Sequence, residues 1–374
     1  MPEHNEASSQ TPPPERLALT WWWPEAGDWF QVLQQSEPAT SWEGAKQLNA
    51  LWPFGRRLIS RGDRYPDQKH GQAAQASYLF HQPQTLPEAP VLAHLLPQDA
   101  EGVANMPFWV VVSPVQMIPD RDTLRLFPPE TLALDEAEGR ALLASFNAHF
   151  ESDGVQLHYL APDIWLLGMP QAIDLQTTHL IDAAGQSVDQ RLPTGAAATY
   201  WHSLINEAQM LFHQHPVNQR RQEAGRPQAN GVWFWGEGVV DSEKVQARPQ
   251  AAIAGESLYL KGLAQLTDAQ AWAPCQTYQA WLKQHRQAPD CRHSLVDVEA
   301  TLPALTELVD REQALALWAD LEKDWFAPIF KGLKSGELGS VFLHLGTLGQ
   351  YYLTPKTARR FWRLPRSIKQ RDQL

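Results

Sequence analysis

The chain has 374 residues, 43% hydrophobic and 20% charged, with a formal net charge of −11. That length suits one large α/β domain or two modest ones, and the acidic balance argues against a bulk binder of nucleic acid or anionic membrane, since either favours basic surface. Cys275 and Cys291, far apart in a non-repeating context, fit a reduced cytoplasmic compartment better than a disulfide scaffold, and no apolar run reaches the ~18 residues that span a bilayer.

Residues 1–16 carry no apolar segment behind a basic start, so they do not read as a signal peptide; a disordered lead-in is expected. LALTWWW (17–23) reads as the first strand, ended by Pro24. Helical patterns follow around Asp28 to Gln35 and Trp42 to Leu51. Residues 52–103 read as mixed and proline-rich. FWVVVSPV (108–115) is an apolar run of strand length, expected to break at Pro114. DTLRLF (122–127) is a second short strand. Asp135 is placed to cap the helix EAEGRALLASFNAHF, whose Leu142, Phe146 and Phe150 share a face. VQLHYLAP and DIWLLGM read as paired strands.

In TYWHSLINEAQMLFHQ (199–214), Trp201, Leu204, Ile205, Ala208 and Phe212 form an apolar face, and His202, Asn206, Gln209 and His213 a polar stripe. His215 precedes Pro216 and should end that helix. Asn218 is then expected to cap a short helix running to Ala224, with Gly225 at its end. NGVWFWGEG (230–238) reads as a strand entering a Gly-x-Gly turn. SLVDVEA, a long helix with Leu315, Trp318, Leu321, Trp325 and Ile329 on its core face, VFLHLG and GQYYLT complete the chain. The tail from Arg359 to Lys369 is basic and reads as a solvated terminal face. Strands alternating with helices predict an α/β fold, a mostly parallel core sheet flanked by helices. The antiparallel-looking middle predicts an inserted α/β domain over 105–235, with 17–104 and 236–374 forming the core.

HQHPVNQRRQEAG (213–225) admits three readings. As a zinc site, His213 and His215 lack third and fourth ligands at any motif spacing. As an anion site, a helix starting at Asn218 offers free N–H groups and a positive dipole end. Arg221 adds a bidentate fork, and Gly236 and Gly238 bare backbone. As a polar helix corner, Asn206, His213, His215 and Asn230 would only satisfy neighbouring backbone. Asp120 and Arg121, with Asp122, read either as a ligand-facing cluster or as a turn with a local ion pair. There is no HExxH, CxxC, GxSxG, Walker A or GxGxxG motif.

From Phe108 onward the order of motifs resembles the archaeal-type cofactor-independent phosphoglycerate mutases of the alkaline-phosphatase superfamily. It is more closely similar to the RpfE-type bacterial regulatory proteins. The resemblance rests on PDRDTLRLF (119–127), FNAHF (146–150), IDAAGQSVDQRLPTG (181–195), NEAQMLFHQHPVNQRRQEAGRPQANGVWFWGEG (206–238) and ESLYLKGLAQL (256–266). It implies an alkaline-phosphatase-like core and places the 213–238 segment beside a substrate cleft. The RpfE-type pattern expects Asp-Pro-Val-His where this chain has Ser113-Pro114-Val115-Gln116. The mutases have a His-Asp pair where this chain has Ile181-Asp182, with His179 out of register.

The mutases work through two divalent metals held by Asp and His, so the resemblance names three strand ends to check. The first strand ends in Trp22-Trp23-Pro24, which cannot ligate a hard cation, and Asp28 alone is a poor substitute. Asp297-Val298-Glu299-Ala300-Thr301 matches a ligand-bearing strand but continues as Leu302-Pro303-Ala304-Leu305-Thr306. Asp290 and His293 precede it. VFLHLG continues as Gly346-Thr347-Leu348, with His344 inside the strand. The expectation is a degenerate scaffold with no catalytic residues, metal or cofactor. It would bind a phosphorylated or carboxylated small molecule through His215, Asn218, Arg221, Asn230, Gly236 and Gly238, with Asp120, Arg121, Asn206 and His213 secondary, or else bind a protein partner. No nucleic-acid or membrane partner is expected. An active mutase or metallophosphatase with relocated ligands, and an interaction protein with an empty cleft, are the alternatives.

Overall fold

The computed structural model describes residues 16–24, 26, 52–65, 86–99, 102–103, 106–121, 123–303 and 311–363. The helices expected at 28–35 and 42–51 fall outside these residues, as do Asp28, Asp122 and 304–306. The strands are β1 (Leu17–Trp22), β2 (Asp63–Tyr65), β3 (Phe108–Asp120), β4 (Thr123–Phe127), β5 (Leu157–Ala161), β6 (Ile164–Met169), β7 (Gly231–Val239), β8 (Ala251–Ala254), β9 (Gln270–Trp272), β10 (His293–Asp297), β11 (Leu338–His344) and β12 (Gln350–Leu353). The helices used below are α1 (Pro53–Arg61), α2 (Glu88–Ala93), α3 (Glu136–Phe150), α4 (Leu180–Ala183), α5 (Ala198–His213), α6 (Pro216–Glu223), α7 (Leu258–Leu266), α8 (Tyr278–Gln287), α9 (Arg311–Leu321), α10 (Ala327–Ser335) and α11 (Pro355–Ala358). No helix among the described residues is long and apolar enough to cross a membrane.

The fold is mixed α/β, with a parallel sheet flanked by helices. The chain divides into two compact units: Met1–Lys69, Arg248–Ser257 and Ala269–Leu374 form the first, and His70–Ala247 with Leu258–Asp268 the second. In the first, the sheet order is β2-β12-β11-β1-β10-β8-β9. β11, β1, β10, β8 and β9 run parallel, and β12 and β2 close one edge antiparallel. Successive side chains of a strand point to opposite faces, which sorts the three consecutive tryptophans. Leu19, Trp21 and Trp23 enter a core built with Tyr278 and Trp281 of α8, Trp318 and Leu321 of α9, and Ile329 and Leu333 of α10. Trp22 points the other way.

The long C-terminal helix is two helices joined by a π-helical turn over Glu322–Phe326. Pro328, just beyond it, has no N–H to return to residue 324, and a wide turn absorbs that missing bond. Glu322 from this turn reaches α1, accepting the N–H groups of Phe54 at 2.5 Å and Gly55 at 3.0 Å. Trp52 supplies no side-chain cap for that helix, so a distant carboxylate fills the role.

The second unit has a five-stranded antiparallel sheet, β4-β3-β6-β5 with β7 on β3. Contrary to expectation, β3 continues through Pro114 to Asp120. β6 pairs with Phe108–Val112 and β4 with Gln116–Asp120, so among the described strands Ser113–Val115 pair only with β7. A proline without N–H is tolerated where the ladder is interrupted. α3 and α5 bury Leu142, Phe146, Phe150, Trp201, Leu204, Ile205, Ala208 and Phe212 against one face. Asp135 starts α3 with a capping box, accepting the Glu138 N–H while the Glu138 carboxylate accepts its own.

α2 packs on β3 and β7, and α7 packs on α2, covering the second face of this sheet. That cover is why residues 86–99 and 258–266 group with this unit, beyond the 105–235 expected for an inserted domain. The proline-rich stretch that holds α2 gave no helical signal. All six residues of α2 are buried, so it carries no amphipathic period.

Candidate functional site

Two places carry the residues singled out above, and each lies within one unit. The first is the corner between α5 and α6. The helix starts two residues earlier than Asn218: Pro216 occupies its first turn and His215 is the N-cap, its Nδ1 accepting the Val217 N–H at 3.2 Å. Proline's fixed φ and missing N–H suit it to that first position. The His215 Nδ1 is therefore unprotonated, and its Nε2–H faces Ser145 Oγ at 2.8 Å. Burial, reinforced by Arg220, lowers the His215 pKa. His213 is exposed on α5, so the two rings do not converge.

Asn218 is buried and spends its carboxamide on the backbone. Its Nδ2 donates to Phe212 O and Ala229 O at 2.8 Å each, and its Oδ1 accepts the Ala229 N–H at 2.9 Å. The Arg221 side chain is 0% exposed. Its Nε donates to Pro227 O at 2.6 Å, Nη1 to Glu138 Oε2 at 2.6 Å and Nη2 to Leu132 O. Burial lowers the Arg221 pKa, opposed by the Glu138 carboxylate. Arg226 adds a second cation to Glu138 at 3.3 Å. The fork expected to hold an external phosphate thus holds an internal carboxylate and two carbonyls. This corrects the open anion pocket expected there: a desolvated guanidinium must be paired inside the fold.

Asn230 repeats the carboxamide pattern, accepting the Met117 N–H at 2.7 Å and donating to Met117 O at 2.8 Å. Gly236 and Gly238 do present bare backbone, but to α2. A Cβ on Gly236 would lie 2.9 Å from Cβ of Glu88, and one on Gly238 would lie 2.5 Å from Cγ of Pro87. Gly236, with φ +64°, also supplies the extra residue of a bulge opposite Trp109–Val111. Nearby, Trp235 donates its indole N–H to Ser113 Oγ at 3.0 Å. His179 lies 3.5 Å from the Glu88 carboxylate and edge-on to Trp235. Asp120 pairs with Arg125 at 2.5 Å, Arg121 sits in the hairpin turn with φ +56°, and Asn206 is exposed on α5. These three do not join the corner. Sequence reasoning missed Glu138, Ser145 and Glu88; only the Asp-x-x-Glu capping pattern hinted at Glu138.

The second place is the carboxyl ends of the central parallel strands, where open α/β sheets bind ligands. Trp22 is in register with Asp297 of β10 on one side and His344 of β11 on the other. The three side chains therefore form one row on one face. Trp22 stacks on His344, with ring centroids 4.1 Å apart and planes 15° from parallel. All three are buried. Asp297 and His344 stand two strands apart, roughly 10 Å, with an indole between them, whereas ligands of one ion sit about 2 Å from it. Among the described residues no group of three His, Cys, Asp or Glu side chains is arranged to hold a metal. The residues present here do not fit a two-metal centre.

No family model matches the chain. A stretch of 141 residues is 30% identical to the "Probable 2,3-bisphosphoglycerate-independent phosphoglycerate mutase" of Geobacter sulfurreducens, covering 37% of this chain and 34% of that protein. The 2,3-bisphosphoglycerate-independent phosphoglycerate mutase of Methanosarcina mazei is 33% identical over 86 residues, 22% of this chain and 21% of that one. The matched stretch thus spans about a third or less of these relatives. Among solved structures, a protein of Pyrococcus horikoshii superposes with a TM-score of 0.48 at 13% identity, over 88% of this chain and 81% of that one. The cofactor-independent phosphoglycerate mutase of Thermoplasma acidophilum gives 0.43 at 12%, over 91% and 90%. The relationship to phosphoglycerate mutases therefore rests on sequence: part of this chain is homologous to part of those enzymes.

Arg221→Ala leaves the Glu138 carboxylate to the partly exposed Arg226 and strips the Pro227 and Leu132 carbonyls of their donor, and should cost about 3 kcal/mol of stability. Urea melts should also show that Arg221→Ala with Glu138→Ala loses less than the two single losses summed; strict additivity would contradict the pairing. Burial depresses the His344 pKa to about 3 and the His285 pKa to about 4. As pH falls below the ordinary value of about 6.5, the unfolded chain takes up these protons first. Stabilisation is thus whole above that value and lost on descending toward 3–4. The urea midpoint should fall across this window, and His344→Phe, which keeps a ring on Trp22, should flatten the fall. An unchanged pH profile in that variant would count against a buried neutral imidazole.

Proposed function

We propose that this is a non-catalytic, phosphoglycerate-mutase-like protein of the RpfE regulatory type, acting in the cytoplasm by binding a protein partner. The observation that carries the reading is the row His344–Trp22–Asp297. Where the resemblance places metal ligands at strand ends, the central position is an indole stacked on a buried imidazole. A phosphoryl transfer that needs two cations to activate a hydroxyl and neutralise developing charge has no ligand set in that row.

Binding of a small anion at the α5–α6 corner receives no support from the geometry, because Arg221 and Asn218 are enclosed and engaged. A protein partner is left as the favoured class. Cys275 and Cys291 are both free and buried, in keeping with a reducing compartment.

The test is turnover. The full chain, assayed with manganese for interconversion of 3-phosphoglycerate and 2-phosphoglycerate, should show no activity above the buffer. Sustained turnover that is lost on chelation and restored by manganese would overturn the reading.

A further inference from the structure

The net charge of −11 hides a local reversal in the first unit. α1, α10 and α11 meet, and the cations they and the turn after α11 carry interlock. Arg61 donates to Ala358 O at 2.6 Å, Arg359 to Lys334 O at 3.2 Å and Arg363 to Gly62 O at 3.3 Å. These acceptors are neutral carbonyls, so they orient the guanidinium planes without cancelling their charge. Arg360 and Arg363 share one carboxylate, Asp63, which leaves the pair a net cation. On this basic ground stand the most exposed aromatic side chains among the described residues, Phe361 at 75% and Trp362 at 65%. Their rings meet edge to face, centroids 5.2 Å apart, so the contact covers one face of one ring and leaves the other ring's faces uncovered by it.

Adjacent rings with open faces, set among oriented arginine forks, are the elements with which proteins hold single-stranded nucleic acid. Bases stack on the rings, and guanidinium groups take phosphates. A duplex hides its base faces and extends its charge along a rigid axis, over a molecule that is acidic elsewhere. A short flexible strand can stay on the patch. We infer that the surface formed by Arg61, Lys334, Arg359, Arg363, Phe361 and Trp362 binds single-stranded nucleic acid without sequence preference. The site is independent of the strand-end row, so it stands or falls apart from the proposed loss of catalysis.

The test is fluorescence anisotropy of a labelled oligothymidylate of about 15 nucleotides, long enough to cross one such platform, titrated with the full chain. At about 50 mM salt, saturable binding is expected with a Kd in the micromolar range, and about three or four phosphate contacts give a log–log salt slope near −2 to −3. Phe361→Ala with Trp362→Ala should weaken binding about tenfold or more while leaving that slope unchanged. Arg359→Glu with Arg363→Glu should abolish binding, and a duplex of equal length should bind less tightly. These side chains are on the surface, so the variants are expected to fold. No anisotropy change at about 100 µM protein, undiminished binding in both variants, or binding to phosphatidylglycerol vesicles with none to the oligonucleotide would each overturn the inference.

Discussion

The structure of the first unit depends on the period-two alternation of β1. Being central, with parallel partners on both sides, this strand must bury both faces. Leu19, Trp21 and Trp23 anchor the helices of one face. The same constraint sends Trp22 to the other face, between Asp297 and His344. An indole at that position is a packing solution: it fills the space between two strands and shields the imidazole from water. A metal ligand there would need the opposite properties, a small oxygen donor and an open coordination site. Burial and stacking hold the row in the form seen, and the depressed His344 pKa follows from that burial.

The second unit solves a different problem, the satisfaction of buried polar groups. Asn147, Asn218 and Asn230 each bond the N–H and C=O of one residue: Leu157, Ala229 and Met117 respectively. A carboxamide has the donor and acceptor of a peptide unit, so each extends backbone pairing to a place no strand reaches. Glu138 joins the α3 capping box to Arg221 and Arg226. One carboxylate thereby ties the start of α3 to α6 and to the turn after it. What read as an array of ligand-seeking side chains is largely an array of internal fasteners.

The sequence made the periodic parts of this fold legible. The strands beginning at Leu17 and Phe108, the β5–β6 pair, and the apolar faces of α3 and α5 follow from spacing, and the Asp135 cap from its position before a helical run. What stayed hidden lacked a period or depended on distant partners. α2 is buried throughout and contains a proline, so neither amphipathicity nor propensity marks it. Pro114 sits inside a strand because of where β6 and β4 stop, which no local pattern encodes. Within the candidate site, the polar residue types at 213–238 are legible in the sequence, but their partners are not. Glu138 lies 83 positions from Arg221, and whether a fork meets a ligand or a neighbour is decided by such long-range contacts.

In the non-catalytic reading proposed above, the strand ends around Trp22 are closed by packing and hold no divalent cation. Electron paramagnetic resonance of Mn2+ titrated with the full chain tests it most directly, because the free aqueous signal falls as ions are bound. The account predicts that stoichiometric protein leaves the free signal intact at micromolar Mn2+. Loss of the signal at about two ions per chain, reversed by a chelator, would contradict it.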